Sequence, residues 1–273
     1  MEVIGHGFIA RHLAALAAPG TEAAPDDRHP DVTVIAAGVS STRVCAEPEF
    51  RREADLVAAV AERCRAEGRT VVFLSTASAA LYGGGDGTGQ EESPPAPVSA
   101  YGRHKAAVEG LVANSGARWV VLRLSHLIGH GQHAEQLLPA LTRQIESGSV
   151  TVYRGAYRDV LDVEHFVALT DRILAAGVRD EIVNVASGVS EPVELIVDGI
   201  ERRLGVTARR TFVDAPANSA PVSVAKLRGI VPGLDGFGFG PAYLPRLLDR
   251  YVRPTSAAPV PRQARSVRAW TLT

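Results

Sequence analysis

The sequence predicts an α/β fold, a doubly wound parallel sheet with a small C-terminal lobe. Three observations predict it. Apolar strand-like runs alternate with segments of helical periodicity along most of the chain. A pair of glycines, Gly5 and Gly7, separates the first strand from the first helix. The later part breaks into short strands punctuated by Pro and Gly.

In order, Glu2–Ile4 reads as a very short strand. Phe8–Ala18 follows as a helix ended by Pro19 and Gly20. Val32–Ala37 is a buried-type strand. Glu49–Glu67 is a helix with Leu56, Val57, Val60 and Ala61 on one face, closed by Gly68. Thr70–Leu74 is the next strand, Val98–Asn114 a helix, Trp119–Leu124 a strand and Ala134–Ser147 a helix. Two short strands fall between Ser149 and Asp162. A helix at Glu164–Ala176, a strand at Ile182–Val185, a helix at Glu194–Leu204, a strand near Arg210–Val213 and a helix near Pro241–Tyr251 complete the pattern. The division expected is a core over residues 1–150, a mixed region over 151–252 that completes it and forms the lobe, and a flexible tail over 253–273. The alternative for the tail is an arm that packs on a partner through Trp270.

Bulk properties narrow the function. The chain of 273 residues is long enough for one large domain or a core with a lobe, and 46% hydrophobic residues can fill it. A formal net charge of -1 gives no long-range attraction to nucleic acid or anionic membrane. Cys45 and Cys64 share no metal-ligand spacing, which fits a reducing compartment. The start has no basic segment before an apolar run, and no apolar stretch reaches the roughly 18 residues of a membrane span. A soluble, cytoplasmic protein is expected.

Gly5-His6-Gly7-Phe8-Ile9-Ala10 follows the first strand and opens a helix, as G-x-G-x-x-A. A dinucleotide site needs this spacing. Gly5 permits a tight turn, Gly7 lets backbone approach a pyrophosphate, and the small Ala10 lets helix and sheet pack closely. The motif makes the sheet Rossmann-like and implies NAD or NADP. An acidic residue should lie about twenty positions on to hold the adenosine ribose. Asp26 and Asp27 stand there, but Thr21–Pro25 has no strand character, so the second βα unit reads as deleted or collapsed. Arg28 could pair with a 2′-phosphate, or belong to a solvated loop.

Tyr101 and Lys105 form Y-x-x-x-K on one helical face. A phenol is a poor base near neutral pH, and a close ammonium favours its ionised form. Tyr101 can then exchange a proton with a C–OH/C=O couple while hydride moves to or from a nicotinamide. Upstream, Ser78 leaves the strand Thr70–Leu74 at its carboxyl end, where open α/β sheets bind ligands. Ser78 is the candidate donor to the substrate oxygen, with Thr76 the nearby rival.

The segments GHGFIA, STASAALYG, YGRHK, LRLSHLIGHGQ and YRDVLDVEHF occur in the order seen in the NAD-dependent epimerase/dehydratase family, the extended short-chain dehydrogenase/reductases. The chain resembles a shortened variant of that family to about residue 205, and the combination of segments is specific where each alone is not. The resemblance implies Ser78, Tyr101 and Lys105 as the catalytic set. It implies a cofactor site of Gly5, Gly7, Phe8, Ile9, Ala10 and Ala37, with Lys105 on the nicotinamide ribose beside Tyr101. It implies Thr76, Ser78, His126 and Arg158 as substrate contacts, with Arg158 on a substrate pyrophosphate. Arg123 begins the family's R-x-x-N-x-x-G segment, in which His126 replaces the Asn. Asp162, Glu164 and Asn184 match structural positions. The glycine loop departs by one residue, with Ile4 in place of its first glycine. A homodimer packing Glu49–Glu67 and Val98–Asn114 into a four-helix bundle is also implied.

His126, His130 and His133 crowd one loop, but with Gly129 and Gly131 beside them they suit a substrate loop better than a metal site. His104 reads as a helix-surface residue. No acidic pair accompanies Ser78, which disfavours dehydration and leaves epimerase or ketoreductase chemistry on a nucleotide sugar or related intermediate. The alternative is a non-redox scaffold, either a cofactor-free lyase or cyclase or a binding subunit.

Overall fold

A computed structural model describes residues 1–15, 28–40, 46–83, 89–214 and 221–253. Residues 16–18 of the first expected helix, Asp26, Asp27, Cys45 and the tail with Trp270 lie outside the described residues. The elements in chain order are β1 (Glu2–Ile4), α1 (Phe8–Ala15), β2 (Val32–Ile35), α2 (Glu47–Glu67), β3 (Thr70–Thr76), α3 (Ala79–Tyr82), α4 (Ala100–Ala113), β4 (Arg118–Leu124) and β5 (His126–Ile128). They continue as α5 (Leu137–Glu146), β6 (Ser149–Tyr153), β7 (Tyr157–Asp162), α6 (Val163–Ala175), β8 (Glu181–Val185), β9 (Ser190–Pro192), α7 (Val193–Leu204), β10 (Arg209–Val213), α8 (Ala225–Ile230) and α9 (Tyr243–Tyr251).

The central sheet runs β1-β2-β3-β4-β8, every pair parallel. Its inner strands are apolar along their length because helices cover both faces. Ile35, Val71, Phe73 and Val121 pack against Val57, Val60 and Cys64 of α2 and Val108 and Val112 of α4. On the other face Val34, Val72, Leu74 and Leu122 meet Phe8 and Leu13 of α1 and Phe166, Leu169 and Ile173 of α6. This is the doubly wound arrangement the alternating pattern predicts.

Boundaries shift for local reasons. Pro48 lies in the first turn of α2, where its missing N–H costs nothing, so the helix starts at Glu47. Gly68 ends it in the left-handed conformation, φ 67°. β3 runs two residues beyond the apolar run, because Ser75 and Thr76 still pair with Arg123 and Leu124. That extension puts Thr76 at the carboxyl edge of the sheet.

The later elements form two small sheets, parallel β10-β6 and mixed β5-β7-β9. Their apolar residues, and those of the helices beside them, continue the core of the α1–α6 face; Leu141, Val152, Ile196 and Leu247 are among them. The short β5, β9, α3 and α8 have no counterpart in the sequence reading, since a run of three to six residues carries no usable period.

A buried ion pair braces α4 on β4. The Arg123 side chain is 2% exposed, and its Nη2 and Nε donate to the Glu109 carboxylate at 2.7 and 3.0 Å. Arg123 Nη1 also donates to the Tyr82 hydroxyl at 3.0 Å, which in turn donates to Asn184 Oδ1 at 2.7 Å. Removing one partner leaves a buried charge alone. Arg123→Leu should therefore lower unfolding free energy by about 3–5 kcal/mol in urea titrations, and adding Glu109→Leu should restore part of it.

Candidate active site

The carboxyl ends of β1, β2 and β3 gather the residues singled out in the sequence. Gly5, at φ 134°, lies so close to Ala36 that a Cβ there would come within 2.5 Å of the Ala36 carbonyl oxygen and 3.0 Å of the Ala37 nitrogen. The glycine loop and the end of β2 thus touch through backbone alone. Gly7 faces open space, and it opens α1, whose first-turn N–H groups have no intrahelical acceptor. Phe8 and Ala10 are buried, while Ile9 is half-buried. The Arg11 guanidinium donates to the Gly131 carbonyl at 3.0 Å, which draws the loop after β5 against this helix start.

α4 presents the tyrosine and lysine. Ser99 caps it, its hydroxyl accepting from the Gly102 N–H at 3.0 Å. Gly102 packs directly on α3, where any Cβ would overlap the Ala80 carbonyl. This contact sets the distance between Tyr101 and the segment holding Ser78, and sequence reading missed it. Thr76 Oγ1 donates to Ser78 Oγ at 3.0 Å and accepts from the Ser78 N–H. Tyr101 is buried. Burial raises its phenol above the usual tyrosine range. Lys105 opposes the rise, Glu53 adds to it and Thr76 opposes it.

Lys105 is buried as well, and its ammonium is bonded to a residue the sequence reading passed over. Lys105 Nζ donates to Glu53 Oε1 at 2.7 Å and sits 4.9 Å from the Phe73 ring centroid. Glu53 comes from α2, and its Oε2 accepts the Val39 N–H at 3.1 Å and bonds His104 Nε2 at 2.8 Å. The His104 side chain is 8% exposed and stacks on Phe50 at 4.4 Å between centroids, so it is no surface residue. The helix face that buries Phe50 and Val57 also buries position 53. A glutamate at that apolar spacing was the available signal.

The substrate candidates downstream meet at the β5–β7 pair. Burial, followed by the charge of Arg158, lowers the His126 imidazole to about 4, which makes it neutral near pH 7. His130 instead lies edge-on to Tyr251, 5.0 Å between centroids. Asn184 is fully buried and donates to the carbonyls of Gly89 and Ser223, tying β8 to both loops as a structural residue does.

The fit to a nicotinamide dinucleotide is good at one end. Open Gly7, the free N–H groups of α1, Ala37, Tyr101 and Lys105 suit a pyrophosphate and a nicotinamide ribose. The adenosine end differs. A full dinucleotide fold has a second mononucleotide half beyond its first strand. Here β1 borders the sheet among the described residues, and residues 16–31 are all that join α1 to β2. A strand–helix–strand unit needs about 30. Arg28 does not supply a 2′-phosphate contact in this geometry. It pairs with Asp171 at 3.2 Å, and its carbonyl accepts from the chain's amino terminus, at the amino ends of the strands.

The chain belongs to the NAD dependent epimerase/dehydratase family, whose model matches residues 12–186. Similar solved structures carry the family cofactor, NAD or NADPH. RMD from Pseudomonas aeruginosa, complexed with NADPH, is 23% identical, with 92% of this chain and 96% of that one covered and a TM-score of 0.70. UDP-glucose 4-epimerase from Thermus thermophilus, in complex with NAD, is 22% identical over 92% and 99%, TM-score 0.70. dTDP-glucose 4,6-dehydratase from Bacillus anthracis, in complex with NAD, is 22% identical over 81% and 71%, TM-score 0.68. No curated protein matches. No helix among the described residues is long and apolar enough to cross a membrane.

Beside His126 and Arg158, Asp159 is buried with its Oδ2 unpartnered among the described residues, while Oδ1 accepts the Ser187 N–H at 3.0 Å. Burial pushes its carboxyl up to about 6, against 3.8 for a free group. Below 3.8 the group is neutral whether the chain is folded or not. As pH rises from there through 6 the unfolded chain ionises first, and stability on the order of 2–3 kcal/mol is lost. Asp159→Asn should therefore raise the melting temperature at about pH 7–8 and leave it nearly unchanged at about pH 3, read by calorimetry.

Proposed function

We propose that this chain is an NAD(P)-dependent epimerase or ketoreductase acting at a secondary alcohol or ketone, with Tyr101 as acid/base. The substrate we infer is a nucleotide sugar or a related specialised-metabolite intermediate. The supporting observation is the convergence of Thr76, Ser78, Tyr101 and Lys105 at the carboxyl end of β3.

A nicotinamide held by the glycine loop and Lys105 would supply or accept hydride at the carbinol carbon. Ser78 holds the substrate oxygen by hydrogen bonding, with Thr76 fixing the Ser78 hydroxyl. In reduction, the carbonyl oxygen takes the Tyr101 proton as its carbon gains hydride. In oxidation the phenolate takes the proton back. An epimerase uses both directions in turn and a ketoreductase only one. Ala77 and Ala79 flank Ser78, with no acidic pair to remove a neighbouring hydroxyl. Neutral His126 offers a hydrogen bond and Arg158 a positive charge, a pair suited to a sugar diphosphate. The same reading includes a cytoplasmic homodimer joined through α2 and α4.

Tyr101→Phe should keep the circular dichroism of the parent and lose about 10²–10⁴-fold in turnover. Wild-type turnover in that variant would remove Tyr101 from the chemistry. Calorimetric titration should show NADH and NADPH binding within about tenfold of each other, because Arg28 is paired with Asp171 at the amino ends of the strands and so is not available to a 2′-phosphate. Failure of every nicotinamide form to bind folded protein would favour the non-redox scaffold.

A further inference from the structure

We propose that Glu53 is a positioning residue of this site. Its buried carboxylate holds the Lys105 ammonium and offsets its charge, so that Tyr101 rests as a protonated phenol, ready to donate to a substrate oxygen. The inference rests on the proposed acid/base role of Tyr101 only for its catalytic meaning, since the proton state of Tyr101 can be measured without substrate.

The geometry carries the argument. The Glu53 side chain is 2% exposed, and three donors converge on it: Lys105 Nζ, the Val39 N–H and His104 Nε2. Gly38 leaves the room, since a Cβ there would lie 2.2 Å from Glu53 Oε1. The carboxylate is thus built into the loop after β2, at the edge where the strands end. The titratable groups of this cluster are Tyr101, His104 and Lys105 from α4 and Glu53 from α2. The loop after β2 contributes the Val39 N–H, and β3 contributes the Leu74 carbonyl, the Phe73 ring and the Thr76 hydroxyl.

A lone ammonium beside a buried phenol strongly favours the phenolate. A carboxylate bonded to that ammonium cancels much of the field and restores the phenol. It also leaves Lys105 anchored by two donors, to Glu53 and to the Leu74 carbonyl, with the third available to a ligand hydroxyl. The direction of the Tyr101 shift agrees: burial raises it, Lys105 opposes, and Glu53 adds to the rise. A resting phenol suits a step in which a ketone oxygen receives a proton. Oxidation of an alcohol from this state needs Tyr101 to lose its proton first, so that direction should improve as pH rises.

The test is a near-ultraviolet titration of phenolate absorbance in the full-length protein, each variant read against its own Tyr101→Phe counterpart to isolate the Tyr101 step. His104 does not absorb there. Glu53→Gln should move the step down by about one pH unit, and Glu53→Asp, which keeps the charge, should hold it near the parent position. An unchanged or raised step in folded Glu53→Gln overturns the proposal. If that variant fails to fold, Lys105→Gln and the double variant Glu53→Gln/Lys105→Gln replace it, because the double variant buries no lone charge. The step in the double variant should lie below that of Lys105→Gln alone, and coincidence of the two would overturn the role of Glu53. Loss of the acid/base reading would show instead as full turnover in Tyr101→Phe, whatever the titration gives.

Discussion

Helix α4 carries two buried charges of opposite sign one turn apart, and the site is built around matching each of them. Lys105 and Glu109 share the face that packs on the sheet, and neither can be left alone there. Glu53 reaches from α2 to the lysine, and Arg123 reaches from β4 to the glutamate. The two pairs fix α4 against α2 and β4. Tyr101 occupies the same face one turn before Lys105, so its place follows from the same contacts. Gly102 completes the docking by letting α4 rest on the backbone of α3.

Around this helix the sheet does the usual work of an open α/β fold, delivering loops to one edge. The ends of β1 and β2 meet through the backbone of Gly5 and Ala36, and the end of β3 brings Thr76 and Ser78 into hydrogen-bond contact. Further along, β5 and β7 bring His126 and Arg158 together. The neutral imidazole at that point reflects burial beside a guanidinium and would be hard to anticipate from a histidine-rich loop.

Most of the scaffold was legible in the sequence. Continuous apolar runs such as Val71–Leu74 and periodic helices such as α2 and α6 report burial directly. The places of Tyr101, Lys105, Ser78 and Gly5 on their helix and strand ends could be read because their spacing is local. What escaped was long-range. Glu53 lies 52 positions from Lys105, and only the fold makes them neighbours. Its one local trace is a charged residue on an apolar helix face. His104 was misplaced for the same reason, since the phenylalanine it stacks on and the carboxylate it binds both belong to another helix. Arg28 was near the right charge type but at the wrong end of the strands, a distinction that spacing alone does not encode.

The short first strand has a further effect. Among the described residues β1 is the border of the central sheet, and it is three residues long. Glu2 is bonded there to Arg63 and to the Thr33 hydroxyl. A border so brief, beginning with a charged side chain tied to its own chain, gives a foreign strand almost no ladder to extend. That side of the sheet therefore offers little template for edge-to-edge association.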